Sequence, residues 1–499
     1  MNNPDVIIIG GGIGGLVAGA KLSKEGKKVL VVEQHSVPGG CATNFKRVGS
    51  SMDVGLHEIG GIEESDMLHE ILKELNVFEN IEFLKLPEFY RFTNSRLDIV
   101  IPDNRIDAEK MLIEKFPEEE KGIRKFFKEI MGYRNEMNRM PRRGLKLLLQ
   151  LPFFPLLYPR IVSTMNETVS RFMDKLIINN DLKLALTANI GYYHDNPDTM
   201  AYSYFAIAQG GYYSGGYYIK GGSQKLSDYL VLLIKKNNGD VLLRHKVNKI
   251  LIANNKAVGI EYKKTTGESE PVKVYGEKII ANAAIPNVLN DLLPPELSSK
   301  IQKKTEAMEI ACSLLSIYFF FKKPIRELGN KHYSTFVFSP DIHDLHQFDP
   351  HADFKDRGFV FVDYSQIDSQ LAATGKGVGA ICTIDYLDDW NRLSRTDYKA
   401  KKDEVAKIYI ERLDRLVPGI KDQIEFYEVG TPMTIERYTL NPKGTPYGFA
   451  QIPGQSGIKR IPNKSAIENL YFASAWTMPG GGFIGAILSG WYCAEEILK

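Results

Sequence analysis

From Val6 to Ile9 the chain runs through apolar β-branched residues with no polar alternation, the pattern of a strand buried on both faces of a parallel sheet. The run breaks at Gly10-Gly11-Gly12-Ile13-Gly14-Gly15, and the period then changes. Leu16, Ala20 and Leu22 share a helical face from Gly14 to about Glu25, with Gly26 placed to end the helix. A second apolar run, Val29 to Val32, ends in Glu33. Further along, Lys220 to Tyr262 opens on a glycine pair and predicts an amphipathic helix carrying Leu226, Leu230 and Leu233. After Gly239 it predicts strands through Val241 to Leu243 and Val247 to Ile252. Glu277 to Leu289 reads as a strand and turn, and Glu468 to Leu498 as a strand, a glycine loop and a final helix. Asn104 to Asn138 has the charged pattern of a solvated helix pair. Ser313 to Ile325 alternates poorly but is strongly β-prone and predicts a central strand of a second sheet.

Strand, glycine turn, helix and strand in register over the first 33 residues are the unit that holds a dinucleotide. Gly10 permits the tight turn, Gly12 lets the backbone approach a pyrophosphate, and Gly15 lets the helix sit against the strand. The helix N-terminus, Ile13 and Gly14, turns its free amides and positive dipole end toward the phosphates. Glu33 lies 18 residues after Gly15, where a carboxylate accepts both hydroxyls of an adenosine ribose and repels a 2′-phosphate. That leaves FAD or NAD(H). Pro38-Gly39-Gly40 turns the chain back along the cofactor beyond the adenosine, which favours FAD.

The stretch from Val6 to Gly40 resembles the flavin-binding start of the amine oxidase and phytoene desaturase superfamily. Ser51 to Gly61 is similar to the D-x-G-x-H segment of its carotenoid isomerase and retinol saturase branch. In the segment resembling V-x-N-A-D, Asn282 and Ala283 match and Ala284 replaces the acid. The resemblance implies an α/β fold: a Rossmann-like FAD-binding domain of glutathione-reductase type, interleaved with a substrate domain of mixed sheet and helical cap. Pieces 1–85, 220–290 and 460–499 then form the FAD-binding domain, and 86–219 and 291–459 the substrate domain. It also implies cofactor contacts at Gly10, Gly12, Ile13, Gly14, Gly15, Glu33, Gln34, Gly39 and Gly40, with Val247 meeting adenine through its backbone. Asn282 and Ala283 join that set. So do Ala475, Gly481, Gly482, Phe483 and Ile484 in the last motif, where Gly480 to Gly482 start a second helix able to face the flavin ring or ribityl tail. Many relatives carry Gly-Asp or Gly-Glu where this chain has Ser474-Ala475, so the carboxylate contact expected there is lost.

Charge changes the picture little. Sixty-three Lys and Arg against 61 Asp and Glu leave +2, giving no footing for a nucleic-acid partner. Cys41, Cys312, Cys382 and Cys493 lack metal-ligand or disulfide spacing and read as packed thiols in a reducing compartment. His343, His346 and His351, beside Pro350 and several Asp residues, read as a surface loop rather than a metal site. No secretory signal opens the chain, so a cytoplasmic location is expected. Gly144 to Arg160, flanked by Arg142 and Arg143, is too interrupted to span a bilayer. It suits either peripheral contact with the inner membrane face or a cap over a substrate cavity.

The tyrosine-rich stretch Asn189 to Gly222 suits the wall of a long, mostly apolar tunnel. His57 is the titratable residue that the resemblance places near the flavin, either to orient a substrate or donate a proton, or to fill a supporting hydrogen bond. No hydrolytic motif is present. The leading expectation is thus an FAD-dependent enzyme that desaturates, saturates or isomerises a carotenoid, retinoid or polyunsaturated lipid. A flavin amine oxidase is the alternative, although the last motif lacks a Cys for covalent flavin attachment. A non-catalytic FAD-containing lipid-binding protein is another.

Overall fold

The fold, given by a computed structural model, is described over residues 3–141 and 144–499, so Arg142 and Arg143 lie outside the described residues. Val6–Ile9 is buried throughout and forms the middle of a five-stranded, all-parallel sheet. Its spatial order is Asp240–Leu242, Val29–Val32, Val6–Ile9, Lys278–Ala281, Leu470–Phe472. In chain order this is 3-2-1-4-5, so the topology reverses beside the first strand, and the crevice at that switch point is where such sheets take ligands.

The two faces of the sheet are covered differently, which the alternation of side chains makes explicit. Val6 and Ile8 point to the helix Ile13–Lys24, which packs between Gln224–Lys236 and the C-terminal helix Gly482–Ile497. Ile7 and Ile9 point the other way, into a core shared with the antiparallel meander His245–Ala253, Lys256–Lys264 and Val272–Tyr275. Gly26, at φ +82°, ends the first helix as its position predicts. In the helix Gln224–Lys236, Leu226, Leu230 and Ile234 are buried; the expected Leu233 is only half-buried, because one residue of register turns it to the flank.

A second, seven-stranded sheet runs in the order Ile424–Gly430, Ser313–Phe321, Gly377–Asp385, Phe359–Asp363, Ser334–Val337, Tyr90–Thr93, Asp98–Ile101. All pairs are antiparallel except Ser334–Val337 with Tyr90–Thr93. The poor alternation of Ser313–Phe321 has a simple origin, since both faces are covered. Leu315, Ile317, Phe319 and Phe321 pack against the helix Arg395–Leu416, while Leu314, Ser316 and Tyr318 face a cavity.

Helices Glu120–Arg139 and Tyr202–Tyr212 cap the cavity, and Arg105–Lys115 and Val169–Asp174 pack against them from outside. The pair expected to be solvated is so only on one side. Ile123, Phe126, Phe127, Ile130 and Tyr133 form a buried stripe at helical spacing, and that stripe packs on Tyr202–Tyr212.

Candidate functional site

The glycine loop after the first strand is shaped by close backbone approaches. At Gly10, φ is +94°, and a Cβ would stand 2.5 Å from the Asn282 carbonyl oxygen. A Cβ on Gly15 would stand 2.5 Å from the Gly10 oxygen, so only glycine lets the helix sit this close to the strand. The Asn282 side chain braces the loop from the neighbouring strand, its Nδ2 donating to Gly10 O at 3.0 Å and Gly12 O at 3.4 Å. Gly12 itself borders the cavity and marks the start of the helix.

Glu33, at the end of the second strand, is held in place before any ligand arrives. Gly11 N–H donates to its Oε2 at 2.6 Å and His35 N–H to its Oε1 at 2.7 Å. Pro38-Gly39-Gly40 does turn back: Gly39 N–H donates to Gly11 O at 2.8 Å, and both glycines have positive φ. From the far end of the chain, Gly481 and Gly482 start the last helix, and the Tyr204 hydroxyl donates to Gly481 O at 2.5 Å. Ser474 Oγ accepts from Trp476 N–H at 3.2 Å, and Ala475 offers backbone only.

One cavity of about 2230 Å³ connects these pieces. Gly10, Gly12, Ile13, Gly14, Glu33, Gln34, Gly39, Gly40, Val247, Asn282 and Ala283 line it, with Ala475, Gly481, Gly482, Phe483, Ile484 and His57. Gly15 does not; it lies beneath the loop and acts through helix packing.

Asp53, first residue of the D-x-G-x-H segment, is a buried hub. It accepts from the amides of Gly55, Leu56 and Ser223, and from the hydroxyls of Ser223 and Tyr218. Burial pushes its carboxyl pKa up, and those donors pull against that shift. The bonds tie the chain leading into His57 to the segment that enters the helix Gln224–Lys236.

His57 Nδ1 lies 3.1 Å from the Tyr364 hydroxyl, which itself donates to Leu56 O at 3.0 Å. With that hydroxyl proton committed, Nδ1–H is the donor to Tyr364. The ring stacks on Tyr192 at 5.8 Å, and burial lowers its pKa to about 4, so the imidazole is neutral near pH 7.

The tyrosine-rich stretch divides between two jobs. Tyr192, Tyr193, Tyr204 and Tyr212 line the cavity. Tyr202 and Tyr213 instead pack into the core, against Phe172 and against Phe89 and Phe127, and Tyr218 bonds Asp53. Opposite, Leu314, Ser316, Tyr318 and Cys382 supply the sheet side of the wall, joined by Met433 and Tyr447. Burial pushes the Cys41 and Cys382 thiol pKa values up to about 11, so neither is a thiolate near neutral pH.

The segment expected either to cap the cavity or to touch a membrane has both faces in one short run of helical turns. Leu147, Leu151, Phe154 and Pro155 line the cavity, while Leu148, Leu149, Phe153 and Leu156 are 58–80% exposed. Arg160 fastens its end to Glu129 and Glu136.

Two buried polar residues were not legible as site residues. Glu58 lines the cavity with Oε1 lacking any hydrogen-bond partner among the described residues; its only signal is a lone acid in the apolar run Leu56 to Ile62. Arg460 is 2% exposed and has no carboxylate partner among the described residues. It donates to the carbonyls of Phe449, Ala475 and Thr477 behind the Gly480–Gly482 loop. Burial lowers its pKa to about 10. Nothing in the local sequence marks it, because its acceptors come from two other segments, Phe449 and the turn Ala475–Thr477.

A cradle of glycines and amides on a parallel sheet, opening into an aromatic-lined cavity, defines a dinucleotide-dependent oxidoreductase fold. The family model for flavin containing amine oxidoreductase matches residues 13–498, and the chain belongs to that family, whose cofactor is FAD. The chain is 28% identical to all-trans-retinol 13,14-reductase of Danio rerio, over 99% of its own length and 86% of the relative's. It is also 28% identical to the chloroplastic prolycopene isomerase of Daucus carota, over 99% and 80%. Among solved structures, an oxidoreductase from Methanosarcina mazei superposes with a TM-score of 0.62 at 16% identity, covering 98% of this chain and 99% of that one.

Proposed function

We propose that the protein is an FAD-dependent oxidoreductase or isomerase acting on a long, apolar polyene. The observation that carries this reading is the cavity. At about 2230 Å³ it is more than twice the roughly 1,000 Å³ upper range of ordinary small-molecule pockets, room for a dinucleotide and an elongated substrate together. The cofactor fits the residues present. The Gly12 backbone and helix N-terminus would take the pyrophosphate, Glu33 the adenosine ribose, and the Val247 backbone the adenine; the Gly481–Ile484 turn would meet the flavin end. When bound, FAD supplies hydride acceptance or donation.

The chain's own residues hold the substrate and keep water out. Leu314, Tyr318, Tyr192 and Tyr212 give the polyene two apolar walls. The neutral His57 is restricted to orienting or accepting a hydrogen bond, since burial opposes the imidazolium a proton donor would need. A flavin amine oxidase is not favoured: the relatives matched over 99% of the chain carry retinoid and carotenoid names.

The segment 144–160 is proposed as the substrate entrance, resting peripherally on a membrane. Its exposed leucines and phenylalanine are continuous with its cavity-lining residues, which suits transfer of an oily substrate from lipid. Among the described residues no helix is long and apolar enough to cross a membrane.

The deciding experiment is anaerobic incubation of the flavin-loaded protein with retinoid, carotenoid and unsaturated fatty-acid substrates, followed by chromatography and mass spectrometry. A product altered in mass identifies a desaturase or saturase, and a new isomer at constant mass an isomerase. A protein purified without flavin, or one inert toward every polyene in either redox state, would overturn the reading.

A further inference from the structure

We infer that Glu58 makes the site selective for substrates that end in an oxygen, its carboxyl hydrogen-bonding a terminal hydroxyl or carbonyl inside the otherwise apolar cavity. The inference rests on the polyene reading above and deepens it.

Glu58 is 8% exposed and lines the cavity, yet no protein donor reaches its Oε1 among the described residues. Oε1 is closed off beside Gly216, and Oε2 makes no hydrogen bond among the described residues. Buried polar groups in native structures find partners, so a carboxyl this short of them at a cavity wall implies a partner that arrives with the ligand and meets Oε2. The fold makes room for it. A Cβ at Gly216 would collide with Oε1, so the carboxyl sits in a notch that only glycine leaves open.

The surrounding hydroxyls do not serve it. Tyr90 donates to Ala185 O at 2.7 Å and Tyr333 to His57 O at 2.6 Å. Its charged neighbour Asp103 is itself engaged by Lys85 at 3.2 Å. Burial, with the Asp103 carboxylate adding to it, holds the Glu58 carboxyl well above the usual carboxylate range. A neutral acid can donate to a carbonyl or hydroxyl and accept from a hydroxyl, whereas an alkyl end would leave it unsatisfied.

The test compares a hydroxyl-terminated polyene with the hydrocarbon of the same chain length, binding each to the FAD-loaded protein and following the polyene and flavin absorbance. The wild type should bind the alcohol at least tenfold more tightly. E58L should lose that preference while binding the hydrocarbon as well as or better than wild type, and E58Q, which still hydrogen-bonds, should keep part of it; flavin content reports that each variant folds. Infrared difference spectra of the wild type give a second readout: a carboxylic acid C=O band, absent from E58Q, should shift with the alcohol and not with the hydrocarbon. Equal affinity for the two chains in wild type, a preference that survives in E58L, or an unshifted band would overturn the inference while leaving the polyene reading intact. If neither chain binds, the polyene reading itself fails and this inference with it.

Discussion

The phosphate cradle and the substrate wall border the same cavity but are built from different materials. The cradle is backbone: Gly10, Gly12 and Gly15 are defined by what a side chain would strike, and Asn282 and Glu33 hold it by bonds to main-chain atoms. The wall is side chain, gathered from Leu56–Glu58, the Tyr192–Tyr212 stretch, the Leu314–Tyr318 strand face, Cys382 and Tyr447. A cradle made of close approaches tolerates almost no change. An apolar wall accepts volume-conserving swaps, so its specificity concentrates in its few polar groups.

The largest effect should follow from closing the cradle. Gly15→Ala places a methyl 2.5 Å from Gly10 O, and we expect a loss of about 3 kcal/mol of stability and most of the bound flavin. Gly26→Ala is the control. Its φ of +82° disfavours a side chain, as the helical backbone of Gly15 does not, but nothing lies within 4 Å, so it should cost about 1 kcal/mol and leave the flavin spectrum unchanged. Urea titration and the ratio of flavin to protein absorbance check both; equal behaviour of the two variants would break the distinction between close approach and backbone preference.

Glu33→Ala comes next. It removes a carboxylate that two amides orient, and FAD affinity should fall roughly ten- to hundredfold, the worth of a charged hydrogen bond. Glu33→Gln, able to keep one of those amide bonds, should fall less. Unchanged flavin content in Glu33→Ala would remove the ribose assignment.

The asymmetry in legibility has the same physical root. Glycine spacing, the strand preceding it and Glu33 are local in sequence and encode one geometry, so the first 33 residues are readable as a unit. The strand Ser313–Phe321 was readable as a strand, but its cavity face was not, because a strand covered on both sides has no polar alternation to show which side is which. Tyr192 and Tyr202 are of one type in one stretch, and only tertiary packing sends the first to the cavity and the second to the core. Glu58 and Arg460 stand out because Glu58 Oε1 and one Arg460 guanidinium nitrogen lack a hydrogen-bond partner among the described residues, a property that no local pattern carries.

His57 sharpens the comparison from the wall side. Unfolded, its imidazole takes a proton near pH 6.5; folded, only near 4, so over that window the unfolded state binds more protons and stability falls as pH falls. His57→Asn removes this contribution. Between pH 7 and 4.5 the wild type should lose about 2 kcal/mol more than the variant by urea titration. An identical loss in both proteins would mean that the imidazole is not buried as a neutral group, and a proton-donor role for it would return.

The smallest effect on the folded protein, and the one that separates two uses of a single segment, is expected at the entrance. Phe153→Ser with Leu156→Ser changes residues that are 58% and 80% exposed, so stability should move by no more than about 0.5 kcal/mol. Removing that apolar surface should nonetheless shift the protein from liposome pellet to supernatant, while turnover of detergent-dispersed substrate stays at the wild-type rate. Phe154→Ser on the opposite face lines the cavity and should do the reverse, leaving liposome binding in place and slowing turnover. Were both sets of substitutions to alter turnover alone, the exposed face would have no lipid to meet, and the segment would be a cap whose outer surface happens to be apolar.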